Sequence, residues 1–395
     1  MIDYLKDEYK YIYLFLIGLV VGYISWNLTW QTVAFSSLIY IAYFYFNSRK
    51  KLLFFSIGYR LASSYGIILG LINSQTSGFL IGFFLWILYA LVTTLPFILF
   101  WSNSLKLRLI LFIPAIIFTI FPPIGLVNGA SPIVSAGIFF PDMGYWGIIL
   151  YLISIVIIGF FGKIYFSPLI RWGLTVLLVI FIPYFYQEKR EKFPFLLYPI
   201  QTSFNFQFDS SKAALQRIKA LQKQINQSPH NLVLLPENII GYYDNNHSNL
   251  LIWKKLKQNK HVLAGAHIYY PNNNYDNTLI FIDNNHFEVL YKQRFPVPIA
   301  MWKPFTESSA NTNLLNSNIT FMIKNYKVGV FICYEIYIPY FYLQTMYEKP
   351  DVIIGISNLW WNRTTHIINA QKFSLMLWCR LFSKPYVFSS NRTPS

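Results

Sequence analysis

Hydrophobic residues crowd into the first half of the chain. Between residue 11 and residue 186, apolar stretches recur at lengths near the roughly 20 helical residues that cross a hydrocarbon core. These stretches predict seven membrane-spanning helices, over residues 11–28, 32–46, 52–72, 78–100, 107–121, 145–162 and 169–186. The first stretch lacks a small-residue cleavage site, so we interpret it as an anchor rather than a removable signal peptide.

The pattern of apolar positions changes after residue 195. Short apolar runs typical of β-strands alternate there with segments whose apolar residues have helical spacing, of which 211–227 is one. Strands that alternate with helices predict a layered α/β domain. We therefore predict a polytopic transmembrane domain over residues 1–188 and an α/β domain over residues 189–395.

Residues 122–144 follow neither pattern. This segment is too rich in Pro and Gly for a helix and too apolar for an ordinary loop. We expect it to dip back into the outer leaflet of a membrane. Two interpretations stay open, because the segment could be a packed connector or could line an entrance for lipid.

The composition agrees with a membrane protein. Of the 395 residues, 55% are hydrophobic and only 12% are charged, which is far more apolar than a soluble domain. The net charge of +16 could indicate a nucleic-acid partner. The sequence contains no basic patch interleaved with stacking aromatic residues and no nucleic-acid-binding motif, so we expect no such partner.

The basic residues of the first half lie in alternate loops. Lys and Arg occur in loops 47–51, 106–108 and 163–171, whereas loops 27–31, 73–77 and 122–144 contain neither. This positive-inside pattern predicts a cytoplasmic amino terminus. An odd number of spans then places the α/β domain outside the cytoplasm, although the basic cluster at 187–192 favours the opposite orientation.

Three ionisable residues stand at the ends of predicted strands. Glu237 closes "LVLLPE", Lys292 closes "FEVLYK" and Cys333 closes "VGVFIC". Active sites collect at the carboxyl ends of strands in α/β sheets. A carboxylate, an ammonium and a thiol suffice for acyl transfer, as base, oxyanion stabiliser and nucleophile. Each residue also has a simpler interpretation, because a Cys in a β-run is usually packed and a strand-end Glu or Lys is usually solvated.

The motifs around these residues resemble those of a known superfamily. "LLPEN", "YKQRFPVP" and "GVFICYEIYIP", in this order and spacing, are similar to the Glu, Lys and Cys motifs of the nitrilase (carbon–nitrogen hydrolase) superfamily. With the multispan first half, the chain resembles the apolipoprotein N-acyltransferases. The resemblance implies an αββα sandwich, with Glu237 as general base, Lys292 as oxyanion stabiliser and Cys333 as nucleophile. Tyr334 and Glu335, directly after the cysteine, also match, and Glu335 would assist the site.

The same resemblance implies a function and a location. A protein of this kind is a multi-pass enzyme of the bacterial inner membrane, with its catalytic domain on the periplasmic side. It would move an acyl chain from a membrane phospholipid, through a thioester on Cys333, to an amine such as the amino terminus of a lipid-modified protein. No cofactor is implied, and the sequence shows no cluster with metal-ligand spacing.

The sequence also departs from the acyltransferase pattern. The second glutamate expected after the lysine falls at Ala300, and the Asp that normally follows the motif Asn is Leu359. The usual Arg and Glu of the late helix fall near Trp378 and Leu381. The chain stops at "SSNRTPS", so we expect a sandwich truncated at its carboxyl end, without the last strands and a closing transmembrane helix.

A second resemblance leads to an alternative function. Some membrane-bound proteins encoded with conjugation systems, the TraB-type conjugal-transfer proteins, combine a similar multispan half with a nitrilase-like domain, and the stretch at 122–141 resembles theirs. The chain would then be a conjugation or envelope component whose degenerate nitrilase-like domain serves as an interaction module. The intact Glu237, Lys292 and Cys333 favour the enzyme, whereas Ala300 and the shortened end favour the module. Simple amide hydrolysis is a third option, for which seven spans would be superfluous.

The remaining candidates for chemistry have structural interpretations. Cys379, the second of the two cysteines, lies in an amphipathic helical stretch and is expected to be packed. His267 and His366 are expected to be structural rather than ligands. A nucleophilic Cys333 must stay a free thiol, so we expect no disulfide between the two cysteines.

Overall fold

The computed structural model describes residues 2–73, 79–184, 192–204, 211–243, 256, 259–283, 287–303, 306, 308–315, 319–362 and 366–392. Within these residues the first half is helical, and strands begin at residue 197. The α-helices of the first half are α1 (Ile2–Asn27), α2 (Leu38–Tyr45), α3 (Arg49–Ser63), α4 (Gly66–Asn73), α5 (Phe79–Leu99), α6 (Leu105–Ile120), α7 (Ala136–Phe139), α8 (Gly144–Tyr165) and α9 (Pro168–Tyr184).

Three of these helices are long and apolar enough to cross a membrane. They are the segment Tyr9–Asn27 of α1, the whole of α5 and the whole of α8. The other predicted spans are helical but shorter: the second is the 3₁₀ helix Gln31–Ser37 continued by α2, and the third is divided between α3 and α4. The structure thus contains a helical domain with three candidate spans, and the number of seven stays a prediction.

Helix α2 lies at the centre of the bundle, where each of its eight residues is buried. Basic side chains satisfy the carbonyl groups at its carboxyl end. Arg108 donates to the carbonyl oxygens of Phe44 and Phe46, both at 2.8 Å, and Lys163 donates to that of Tyr45 at 2.7 Å. Cations stabilise this end of a helix, because the unpaired carbonyl groups there carry partial negative charge.

Helices α1 and α3 pack against each other through glycines. A Cβ on Gly18 would lie 2.2 Å from the carbonyl oxygen of Phe55, and a Cβ on Gly58 would lie 2.2 Å from that of Phe15. Only a residue without a side chain permits this approach, as at many helix contacts in membranes. Both helices run in the same direction, away from the end of the bundle that holds Arg108 and the start of α3.

Among its described residues, the second half contains the strands and three further α-helices. Its elements are β1 (Leu197–Pro199), α10 (Ser211–Gln227), β2 (Leu232–Leu234), β3 (Tyr242–Tyr243), β4 (His261–Tyr269), β5 (Tyr275–Ile282), β6 (Phe287–Lys292), β7 (Thr320–Ile323), β8 (Tyr326–Ile332), α11 (Pro339–Tyr347), β9 (Val352–Leu359), α12 (His366–Leu381) and β10 (Tyr386–Arg392). The helix predicted over 211–227 is confirmed by α10.

These strands form two sheets. The first has the order β1-β2-β4-β5-β6, with β3 beside β4; β1, β2 and β4 are parallel, whereas β5 and β6 are antiparallel to their neighbours. The second has the order β10-β9-β8-β7, in which only β7 is antiparallel. Strand β10 also meets the first sheet, through a bridge between Asn391 and Thr202.

The sheets and helices form four layers. One core cluster joins Leu263 of the first sheet to Val330 and Ile354 of the second. Helix α10 covers the outer face of the first sheet through residues such as Leu221, and α12 covers the outer face of the second through residues such as Leu375. This order of layers is the αββα arrangement that the resemblance implies.

The helical bundle and the α/β half share a core. The core of α12 continues into the bundle, and α7 packs so closely on α12 that a Cβ on Gly137 would lie 2.0 Å from the carbonyl oxygen of Leu377. Helix α7 belongs to the predicted re-entrant segment 122–144, which folds into short helices with a largely buried stretch from Gly125. The predicted domain boundary between 188 and 189 lies outside the described residues.

Candidate active site

Cys333 stands at the turn that follows β8. It is the first residue of the 3₁₀ helix Cys333–Tyr337, and its φ of 49° lies in the left-handed region that residues with a side chain rarely adopt. The Oγ of Ser357 lies 3.6 Å from its Sγ, and Nε2 of Gln371 donates to its carbonyl oxygen at 3.2 Å. Such an over-determined, strained turn is typical of a functional residue.

Glu237 follows β2 and is held by two amides. Its Oε1 accepts a hydrogen bond from Nδ2 of Asn277 at 2.6 Å, and its Oε2 accepts one from the backbone N–H of Asn358 at 2.8 Å. Strand β4 passes directly beneath, because a Cβ on Gly265 would lie 2.4 Å from the Cα of Glu237. The carboxylate is buried, and both of its oxygens accept hydrogen bonds that fix its position.

The thiol and the carboxylate influence each other's protonation. Burial raises the pKa of Glu237 to about 7, although hydrogen bonds from Asn277, the Cys333 thiol and Asn358 oppose this increase. Burial raises the pKa of Cys333 well above its usual value, and the nearby carboxylate of Glu237 raises it further. A carboxylate that titrates near neutral pH beside a thiol is suited to act as its general base.

The structure does not bring Lys292 to this pair. Its Nζ lies 2.7 Å from Oδ2 of Asp276 and donates to the hydroxyl of Tyr270 at 3.1 Å. These groups line a separate polar cavity of about 410 Å³. Burial would lower the pKa of Lys292, but Asp276 and Tyr270 outweigh burial and raise it. The placement of Lys292 beside Cys333, as the sequence predicts, is therefore not found.

The neighbouring residue, Gln293, faces the candidate site instead. Successive side chains of an extended strand point to opposite faces, so Lys292 and Gln293 cannot share one. The amide of Gln293 accepts from Nδ2 of Asn277 at 2.8 Å and donates to the carbonyl oxygen of Ile332 at 2.8 Å. It thus connects the side chain that holds Glu237 with the residue before Cys333. The sequence interpretation missed this residue, and strand alternation was the signal that could have found it.

Glu335 lies behind the site rather than in it. Its carboxylate accepts hydrogen bonds from the backbone N–H groups of Ile332 and Arg294, at 2.8 and 2.7 Å, and from the hydroxyl of Tyr291. It also forms an ion pair with the Arg294 guanidinium at 3.3 Å. Burial raises the pKa of Glu335, and Arg294 partly offsets it. These bonds hold the start of the Cys333 turn, so Glu335 fixes the position of Cys333.

Tyr334 connects the site to the helical half. Its hydroxyl donates to the carbonyl oxygen of Leu126 at 3.1 Å, and Leu126 belongs to the segment between α6 and α7. The residue lines the same cavity as Cys333 and Glu237. Of the five predicted site residues, Cys333, Glu237 and Tyr334 share a cavity.

This cavity lies between the two halves of the protein. It has a volume of about 530 Å³ and is lined mostly by apolar groups. Helices α4 and α5 supply part of its wall, with Gly66, Ile67, Leu88 and Val92 among the lining residues. The segment that follows α6 contributes Val127, Gly129 and Ala130. Residues of the segment 122–144 are therefore packed and also line this cavity, and their role as an entrance for lipid stays a prediction.

Residues at which the sequence departs from the acyltransferase pattern also line the cavity. Ala300 and Leu359 lie in its wall, so these positions contribute apolar surface where acidic side chains were expected. His267 and His366 line it as well. Burial lowers the pKa of His366 to about 4, so its imidazole is neutral at pH 7.

No metal site or disulfide is found in the described part of the chain. Among these residues no group of three or more His, Cys, Asp or Glu side chains could hold a metal ion. Cys333 and Cys379 are both free, and Cys379 is packed in α12 as expected. The chemistry that the arrangement itself offers is that of a thiol, a carboxylate and neutral hydrogen-bond donors in an apolar cavity.

Solved structures align with about half of the chain. A carbon–nitrogen hydrolase from Helicobacter pylori G27 aligns with 49% of this chain and 72% of its own, at 14% identity and a TM-score of 0.37. A double mutant of the amidase from Nesterenkonia sp. AN1, in complex with acrylamide, aligns with 49% of this chain and 74% of its own, at 10% identity and a TM-score of 0.36.

Sequence relatives extend over both halves. No protein-family model matches the chain. A probable conjugal transfer protein TraB from Sinorhizobium fredii is 26% identical over 390 residues, which are 95% of this chain and 96% of the relative. The conjugal transfer protein TraB of Agrobacterium fabrum is 23% identical over 411 residues, 98% of this chain and 94% of the relative. Along nearly its whole length, the chain is therefore similar to TraB conjugal transfer proteins, and nitrilase-superfamily proteins are among its structural neighbours.

Proposed function

We propose that this protein is a membrane-bound acyltransferase that uses Cys333 as nucleophile and Glu237 as general base. It takes an acyl group from a membrane phospholipid and transfers it, through a thioester, to an amine. One observation carries the proposal: a thiol and a carboxylate that titrates near pH 7 share an apolar cavity whose wall is partly built by helices of the membrane half.

The chemistry follows from the positions of the two groups. Glu237 takes the proton of the Cys333 thiol as Sγ attacks the ester carbonyl of the lipid, and the electron pair of the C=O bond moves to the oxygen. Collapse of this adduct expels the lipid alcohol, which receives the proton from Glu237. The incoming amine then attacks the thioester and transfers a proton to Glu237. Collapse of the second adduct forms the amide and expels the sulfur of Cys333, which takes the proton back from Glu237 and becomes a thiol again.

The surroundings favour a lipid as acyl donor. The outer surface of α5 exposes large apolar side chains along its length, including Leu80, Phe84, Leu91 and Leu99, as a helix in contact with lipid does. The same helix forms part of the cavity wall. One helix therefore borders both the lipid and the cavity that contains Cys333, and the apolar residues Ala300 and Leu359 in the cavity wall suit an acyl chain.

The orientation of the protein in the membrane is part of the proposal. The α/β half contacts the end of α1 that lies away from the amino terminus, because the ring of His366 stacks on Tyr65 at 4.2 Å and Tyr65 donates to Asn27. The basic side chains that cap α2 lie at the opposite end of the bundle. With positive charge inside, the protein is a multi-pass inner-membrane protein with its α/β half on the periplasmic side.

The relatives suggest the biological setting. Two proteins similar to nearly the whole chain are named as conjugal transfer proteins. We place the acyl transfer in the envelope of a conjugating cell, with an amine of an envelope protein as acceptor. Transfer to the amino terminus of a lipid-modified protein, as in lipoprotein biosynthesis, is one case of this reaction.

A second function has a specific observation in its favour. Lys292 is paired with Asp276 in a different cavity, so the predicted ammonium does not face Cys333. A nitrilase-like domain that had lost its chemistry would serve the conjugation apparatus as an interaction module. Such a module needs neither a reactive thiol nor an acyl adduct.

Mass spectrometry of the protein purified from its membrane distinguishes the two functions. We expect a fraction of the wild-type protein to carry an acyl mass on the Cys333 peptide that hydroxylamine removes, as a thioester requires. The Cys333→Ala variant should lack this mass, and the matched Cys379→Ala variant should retain it. Wild-type protein that carries no adduct after incubation with phospholipid would leave the interaction module as the function.

A further inference from the structure

A buried amide lies beside the candidate nucleophile, Cys333. Gln371 belongs to α12, is buried and lines the cavity. Its Nε2 lies 3.2 Å from the carbonyl oxygen of Cys333 and 3.9 Å from Sγ of the same residue. We propose that Gln371 donates a hydrogen bond to the Cys333 thiolate and to the oxyanion formed by its attack, in place of an ammonium group.

The orientation of this amide is determined by the backbone. A carbonyl oxygen can only accept hydrogen bonds, so the amide of Gln371 must turn its NH₂ group, and not its oxygen, toward the carbonyl of Cys333. One N–H is used in that bond. The other N–H of the same nitrogen is available to Sγ and to a substrate oxygen in the cavity. The assignment of the donor therefore follows from the partner.

The distance suits the reacting atoms. Oxyanion donors lie roughly 3 Å from the oxygen that becomes charged, and that oxygen is two bonds away from the attacking sulfur. A nitrogen 3.9 Å from Sγ is thus within reach of it. Ser357, whose Oγ lies 3.6 Å from Sγ, supplies a second neutral donor.

The electrostatics of the site explain why a donor is required. The thiolate forms in a buried place beside the Glu237 carboxylate, and both conditions oppose negative charge. When Sγ attacks, its proton passes to Glu237 and the electron pair of the carbonyl moves to oxygen. The Gln371 N–H stabilises that oxygen without adding a charge. When the adduct collapses to the thioester, the electron pair on the oxygen forms the C=O bond again.

The test measures the thiol directly and rests on the proposed role of Cys333 as nucleophile. Purified full-length protein in detergent is alkylated with iodoacetamide from about pH 6 to about pH 11, and labelling of Cys333 and Cys379 is followed separately by peptide mass spectrometry. For Gln371→Leu we expect the midpoint of the Cys333 rate profile to rise by about one pH unit, a tenfold loss of thiolate at a given pH. Gln371→Glu, which keeps the size and replaces the donor by oxygen, should raise it further.

A matched control distinguishes two roles of Gln371: a hydrogen bond to the sulfur of Cys333, or support of the 3₁₀ helix that begins at Cys333. Ser374, one turn later on α12, donates to the carbonyl oxygen of Ile336 at 2.7 Å and therefore binds the same 3₁₀ helix. Ser374→Ala should leave the midpoint unchanged. If it shifts the midpoint as much as Gln371→Leu does, Gln371 only holds the turn and the inference is wrong.

Three further results have distinct meanings. A midpoint that Gln371→Leu and Gln371→Glu leave unchanged overturns the role of Gln371. A midpoint that Lys292→Met raises while Gln371→Leu does not would overturn it as well and would assign the donor role to Lys292. Wild-type Cys333 that resists alkylation at every pH overturns the proposed acyltransferase itself. The failure of this inference and the failure of the proposed function are thus separate observations.

Discussion

Replacing Glu237 with glutamine should remove a pH dependence from the folding stability of the protein. Burial raises the pKa of Glu237 from 4.5 to about 7, so the folded protein keeps this proton in a range where the unfolded chain has lost it. The stability that this group contributes is fully present at pH values below its pKa in the unfolded chain. It is lost as the pH rises through its pKa in the folded protein. A difference of about 2.5 pKa units, at about 1.4 kcal/mol for each, corresponds to about 3.5 kcal/mol in total.

The assay is chemical unfolding in detergent, followed by far-ultraviolet circular dichroism, at pH 5 and at pH 8. The unfolding free energy of the wild-type protein should fall between pH 5 and pH 8. In Glu237→Gln we expect this fall to be smaller by about 2.5 kcal/mol. Glu348→Gln is the control, because that carboxylate is 39% exposed and pairs with Lys327 at the surface. A Glu237→Gln protein with the full wild-type pH dependence would refute the reasoning, since another group would then carry it.

Three further substitutions test separate parts of the structure. Lys292→Met should lower the unfolding free energy by about 1–2 kcal/mol, because buried Asp276 loses its cation, and should leave the rate of Cys333 alkylation unchanged. Glu335→Gln should cost about 3 kcal/mol in the same unfolding assay, because it leaves the buried guanidinium of Arg294 without its counter-ion. Gly137→Val should reduce thermal stability in detergent, since a side chain there meets the backbone of α12; an unchanged melting temperature would contradict the packing of α7.

The positions of Glu237 and Cys333 could be predicted from the sequence because each follows an apolar strand that ends at one edge of a sheet. Lys292 could not be placed in the same way. The next residue, Gln293, points to the opposite face, and a shift of one residue in a strand exchanges the two faces. Strand alternation indicates that only one of the two can face the site. The hydrogen bond that places Gln293 there joins it to Asn277, 16 positions earlier on the neighbouring strand, and this partner cannot be read from the sequence.

In the membrane half, too, some features could be predicted from the sequence and others could not. Long apolar stretches predict α5 and α8 well, since length and composition suffice there. The central span begins as the 3₁₀ helix Gln31–Ser37, whose tighter geometry no hydrophobic period reveals. The share of α4 in the cavity wall was also beyond prediction, because Gly66 and Gly70 acquire their role from contacts with residues about 300 positions away.

The contact between Gly70 and Trp361 has a consequence for how such proteins can change. A Cβ on Gly70 would lie 2.8 Å from the Trp361 ring, so the membrane half and the α/β half fit each other across the cavity. Among homologues, a larger residue at position 70 should therefore covary with a smaller one at position 361. The two halves each supply part of the cavity wall, so neither half alone determines the shape of the cavity. A chimera that exchanges only one half between two relatives would therefore combine walls that do not fit each other.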